Sequence, residues 1–117
     1  MNDTLKKHFM NPVNMGKIKN PTHCSKCKSG FCGDTIELYA IVDNTGIVTD
    51  VRYNVFGCYA VIATASILSE WAIGKPLDIV RQVEYGTLVA LIGERPEEEK
   101  ENCINVAVKA FADLKQV

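Results

Sequence analysis

The segment 35-TIELYAIVD-43 sets Ile36, Leu38, Ala40 and Val42 on one side of the chain and Thr35, Glu37, Tyr39 and Ile41 on the other. A period of two with one apolar face is what a half-buried strand requires. The following "DNTG" supplies a turn, and "IVTDVRYNVFG" (47–57) returns as the second arm of an antiparallel hairpin. Beyond Gly57 the period becomes helical. "CYAVIATASILSEWAIG" (58–74) is apolar nearly all round, as expected of a central helix covered on several sides, and Gly74 should end it.

The same spacing predicts a short helix in "PLDIVRQVE" from Pro76 and another in "YGTLVALIG". Pro96 with Glu97 to Glu99 behind it makes a favourable N-terminal turn for a last helix reaching about Lys115. That helix turns Ile104, Val108, Phe111 and Leu114 inward, with Asn102 as a cap within it. Upstream of the hairpin, Asn2 or Asp3 can cap a helix over Thr4 to Phe9, stopped by Asn11-Pro12. Residues 14–33 lack apolar periodicity and read as loop or irregular strand. The expected architecture is α+β, a small antiparallel sheet packed against a layer of helices, with residues 1–117 forming a single domain.

A chain of 117 residues is long enough to bury one core without disulfides or metal to hold it. Apolar residues make up 47% and charged residues 23%, and no stretch is of low complexity, which fits a folded, water-soluble protein. The net charge of −1 argues against nucleic-acid binding. Six lysines in residues 1–30 and five glutamates in residues 94–101 read as solvated surface. The opening residues lack the apolar run of a secretory signal, and the longest apolar-rich stretch, 59–68, is too short to cross a bilayer. Five cysteines without an export signal point to a reducing cytoplasm, where clustered thiols serve metal or redox chemistry.

Those cysteines are Cys24, Cys27, Cys32, Cys58 and Cys103. Cys32, Cys58 and Cys103 all fall at ends of expected elements, where loops of one rim can gather them. A helix N-terminus favours a thiolate, which applies to Cys58 and, given a cap at Asn102, to Cys103. With Asp34 they make a set of three sulfurs and one oxygen suited to zinc or iron. Taken singly, Cys58 or Cys103 is more often a small core residue. Cys24 and Cys27 form a CxxC that a tight turn would aim at one metal, and with Cys32 they give C-x2-C-x4-C, short of a complete local motif. His8 and His23 are candidate extra ligands, although His8 reads better as a surface residue.

Four blocks carry a resemblance. "HFMNPVNMG" (8–16), "CGDTIELY" (32–39), "FGCYAVIATAS" (56–66) and "NCINVAVKAF" (102–111) resemble, in order and interval, the IscU/NifU N-terminal family of iron-sulfur cluster assembly scaffolds. The resemblance covers nearly the whole chain and implies a compact α+β domain holding a cluster or zinc at Cys32, Asp34, Cys58 and Cys103. It implies a non-enzymatic role: sulfur received from a cysteine desulfurase is combined with iron and electrons, and the cluster passes to apo iron-sulfur proteins. Four ligands from one chain suit a [2Fe-2S] cluster, and two chains of a homodimer sharing a [4Fe-4S] cluster is equally sound chemistry.

The departures from the family pattern are specific. Asn102 stands where the family carries histidine, Tyr59 replaces a glycine and would shield the site, and "ERPEEEK" replaces the proline-rich segment read by an Hsp70-type chaperone. The last of these argues against chaperone-assisted release of that kind. The alternative is a zinc-binding regulator or sulfur carrier that serves a desulfurase without building clusters. For Cys24 and Cys27 four roles stand open: extra ligands to the same metal, a second site, a sulfur relay, or incidental cysteines of a strand.

Overall fold

The computed structural model describes residues 2–29 and 33–117. The hairpin is β2 (Thr35–Val42) and β3 (Val48–Phe56), antiparallel from Thr35 opposite Phe56 to Val42 opposite Val48, with a bulge at Ile41/Val42. Asp43 holds its turn by accepting from the amides of Thr45 at 2.8 Å and Ile47 at 3.0 Å. As expected, helices follow: α2 (Tyr59–Ala72), α3 (Leu77–Arg81), α4 (Tyr85–Ile92) and α5 (Glu101–Ala112), behind the N-terminal α1 (Asp3–Met10). Asn2 caps α1, its side chain accepting from the amides of Thr4 at 2.8 Å and Leu5 at 3.2 Å.

Three expectations need correction. Within residues 14–33, expected as loop or irregular strand, His23–Lys28 form a regular strand, β1, antiparallel to β2 from His23 opposite Ala40 to Lys28 opposite Thr35. The last helix stops at Ala112, and Lys115–Gln116 form a short strand, β4, on the far side of β1. The sheet order is therefore β3-β2-β1-β4. Asn102 does not cap α5: a single 3-10 turn over Glu98–Lys100 leads into it, and Lys100 is the capping position.

Ile36, Leu38 and Ala40 of β2 and Val51 and Tyr53 of β3 are fully buried against α2 and α5, from which Ala63, Leu68, Ile104 and Phe111 answer them. Each large aliphatic side chain removed from water in this way contributes about 1.5–3 kcal/mol. The α2 helix is apolar nearly all round because it is covered nearly all round. Two of its buried hydroxyls, those of Ser66 and Ser69, anchor the segment after α1. Ser66 Oγ accepts from the Val13 amide at 2.9 Å, and the Asn14 side-chain amide donates to Ser69 Oγ at 3.0 Å. From the sheet, Tyr53 donates to the Val13 carbonyl at 2.7 Å, and burial pushes its hydroxyl pKa up to about 12.

His8 joins this network, its Nδ1 lying 2.8 Å from Ser66 Oγ. Burial holds its pKa below the usual value, the pull of Glu70 opposing and Lys7 adding to the effect. His23 is likewise lowered, first by burial and then by Arg81. A histidine whose folded pKa is depressed binds its proton more readily in the unfolded chain, so its stability contribution is complete above about pH 6.5 and lost below it. The urea midpoint should therefore fall between about pH 7.5 and about pH 5.5. A His8→Gln/His23→Gln variant should show a flatter profile, and an equally steep one would rule out this origin.

Candidate functional site

The connection between β1 and β2, the joint between β3 and α2 and the start of α5 meet at one end of the sheet. Asp34 sits just before β2, where the Ser29 amide donates to its carbonyl at 2.7 Å and closes the base of the connection. Cys58 is the N-capping residue of α2, with a half-buried side chain and no side-chain capping bond. Cys103 lies in the first turn of α5 and is 4% exposed. One donor atom from each of Asp34, Cys58 and Cys103 lies within 4.8 Å of the other two. Tetrahedral bonds of about 2.0–2.3 Å to one metal set ligand atoms about 3.3–3.8 Å apart, so side-chain shifts of about 1 Å would close the group on an ion.

The Asp34 carboxylate is aimed rather than incidental. Oδ1 accepts from the Cys58 amide at 3.2 Å, whereas Oδ2 is buried with no hydrogen-bond partner among the described residues. An orphaned buried oxygen costs about 1–3 kcal/mol, and a bound cation would remove that cost. Two soft sulfurs beside a hard oxygen suit iron or zinc better than magnesium or calcium. The N-terminal ends of α2 and α5 both point at the site, so their dipoles favour the negative charge that thiolates bring.

Gly57 makes the close approach possible. A Cβ added there would fall 2.5 Å from Asp34 Oδ1 and 2.8 Å from its Cγ, closer than atoms can pack. The glycine of "FGC" is thus explained by the carboxylate it faces. Phe56 beside it is left exposed at the rim.

Lys100 was not singled out by the sequence, although its place one helical turn before Cys103 was a usable signal. Its Nζ stands 5.0 Å from the centre of the Tyr59 ring. The negative charge of Cys58 is the first cause that raises its pKa, with Tyr59 and Cys103 adding to the rise and desolvation opposing it. The residue thus places an ammonium group beside the Cys58 and Cys103 thiols. Tyr59 also meets Phe9 edge-on at 5.9 Å, and a cavity of about 220 Å³ lies beside it, lined by Asn2, Leu5, Pro96 and Ile104 among others.

Of the residues expected at the site, Cys32 lies outside the described residues. Cys24 and Cys27 do not join the group. Three residues apart on β1, they leave the strand on opposite faces, so the expectation that a tight turn presents both to one metal is corrected. Cys27 faces α5 with its thiol 3.9 Å from Asp113 Oδ2, and burial first, then Asp113, push its pKa up. Neither histidine is in the group: His8 is bound to Ser66, and His23 Nδ1 lies 2.9 Å from Thr22 Oγ1. No helix among the described residues is long and apolar enough to cross a membrane.

The NifU-like N terminal domain model matches residues 1–114. The chain is 31% identical over 112 residues to the iron-sulfur cluster assembly scaffold protein IscU of Aquifex aeolicus, covering 94% of this chain and 70% of that protein. It is 32% identical over 109 residues to IscU 1 of Archaeoglobus fulgidus, covering 93% and 70%. Among solved structures, the N-terminal NifU-like protein of Brucella abortus superposes with a TM-score of 0.76 at 20% identity, covering 96% of this chain and 89% of that one, which is a likeness of fold.

Proposed function

We propose, from the premise that this chain belongs to the family of NifU-like N-terminal domains, that it is a scaffold on which an iron-sulfur cluster is assembled and from which it is handed on. The observation that carries this reading is the convergence of Asp34, Cys58 and Cys103 around a buried carboxylate oxygen that has no partner among the described residues. Cys32, two residues before Asp34, completes the set as the third sulfur. The cluster is cargo, and these four residues hold it.

The donor set suits temporary custody. Thiolates bind iron firmly, while the harder carboxylate is the more exchangeable fourth ligand and the natural point of release. The protein contributes ligands and shape and catalyses nothing itself. Sulfur comes from a cysteine desulfurase, and apo iron-sulfur proteins take the product. Residues 1–117 act as one scaffold domain in the cytoplasm. Four ligands from one chain suit a [2Fe-2S] unit, and a [4Fe-4S] cluster takes the same number, from one chain or shared between two.

The test is to purify the protein without oxygen, supply ferrous iron, cysteine, a cysteine desulfurase and a dithiol reductant that converts the delivered persulfide sulfur to sulfide, and measure iron, acid-labile sulfide and the visible spectrum. Stoichiometric iron and sulfide with charge-transfer bands are expected. Zinc that stays bound with no bands would overturn the reading in favour of a zinc-holding partner of the desulfurase.

A further inference from the structure

The β1 strand has one satisfied side and one that is only half covered. The Ser29 amide donates to the Asp34 carbonyl, which fixes Cys27 and Ser25 as the residues whose amides and carbonyls point to β2. Those of Cys24, Lys26 and Lys28 point the other way. There β4 reaches only His23 and Cys24, with the Val117 amide donating to the Thr22 carbonyl at 2.9 Å. Among the described residues nothing pairs with the outward amides and carbonyls of Lys26 and Lys28, and both residues are exposed.

Beside this open edge runs a groove of about 190 Å³, walled by the α5 face that carries Asn102, Asn105, Val106 and Lys109, with the Cys27 side chain lining it. An unpaired strand edge flanked by a helix groove is the arrangement that receives an extended peptide as an extra strand. We propose that the edge from Lys26 to Lys28 binds an acidic, extended segment of a partner protein in this way.

The register dictates the sequence of that segment. Residues of the incoming strand opposite Lys26 and Lys28 would share the lysines' outer face, and cross-strand pairs of opposite charge are favourable there. The residue between them, opposite Cys27, points into the groove toward Val106 and is small and apolar. The pattern is acid, apolar, acid. Lys109 and Lys115 add positive charge around the edge, against Glu37 opposite Lys26 and Asp113 near Cys27. A second copy of this chain is disfavoured as the occupant, because pairing β1 with itself sets lysine against lysine. The inference rests on the sheet edge alone and stands apart from the cargo.

The test is a titration of the isotope-labelled chain, followed by amide NMR, with an acetylated and amidated hexapeptide of alternating glutamate and valine. The amides of Lys26 and Lys28 should shift and exchange more slowly, with binding weakened by salt and by about tenfold or more, about 1.4 kcal/mol, when lysine replaces glutamate in the peptide. Proline is tolerated where a strand amide faces solvent. Lys26→Pro and Lys28→Pro should therefore keep the fold and the cluster loading but lose the peptide. Should either fail to fold, the Lys26→Glu/Lys28→Glu variant must reverse the preference to the lysine peptide. Equal binding of the two peptides, or no change at these amides at millimolar peptide, overturns the proposal.

Discussion

Replacing Cys58 with serine will abolish cluster loading and leave the fold standing. The thiol is half-buried at the N-capping position of α2 and makes no side-chain capping bond. Serine is a favoured residue there and its hydroxyl can accept from the first-turn amides, so stability should hold or rise by up to about 1 kcal/mol. What is lost is the soft anionic ligand, since a serine hydroxyl stays protonated at neutral pH. Loading should fall by more than the about 10–100-fold that loss of a merely supporting group costs. Iron and sulfide content after reconstitution, set beside a thermal melt of the same sample, separates the two effects. A variant that loads fully would remove Cys58 from the ligand set.

Gly57→Ala should be nearly as damaging, by a different route. The backbone at this glycine is not left-handed, so the penalty comes from the methyl group meeting the Asp34 carboxylate. Overpacking of this kind costs about 1–3 kcal/mol. Relief requires Asp34 to swing away, which breaks its bond from the Cys58 amide and draws a donor out of the group. Both the melting temperature and the loading should drop. The cycle with Asp34→Ala makes the cause explicit: in the double variant the methyl group has room, so the stability loss of Gly57→Ala should largely vanish. An equal loss in both backgrounds would place the strain elsewhere.

The hairpin and the central helix were legible because their inner faces are made of Ile36, Leu38, Ala40, Val51 and the apolar run after Cys58, whose periods differ plainly. The β1 strand was hidden for the opposite reason. Its inner face is His23, Ser25 and Cys27, which carry no apolar alternation, although all three are wholly or partly buried. Ser25 is satisfied by donating to the Ala110 carbonyl at 2.6 Å, a partner that only α5 can bring. The β4 strand is two residues long and exists only through its pairing with β1.

At the site, the positions of Asp34, Cys58 and Cys103 at element ends were enough to suggest that they meet. The CxxC misled because its meaning depends on the backbone beneath it: in a turn three residues bring two sulfurs together, and in a strand they set them apart. The role of Gly57 and the nearness of Lys100 depend on tertiary approach, which no local pattern encodes.

The order β3-β2-β1-β4 also divides the sheet in time. The β2 and β3 strands are neighbours along the chain, joined by a short turn, and their seam can close early. The seam between β1 and β4 joins His23 to Gln116 and Cys24 to Lys115, so nearly the whole polypeptide must be gathered before its first bond forms. The sheet thus has a fast seam beside the cluster site's own strand and a slow one at its far edge, fastened by two residue pairs. The last strand is a latch that closes on a fold already made.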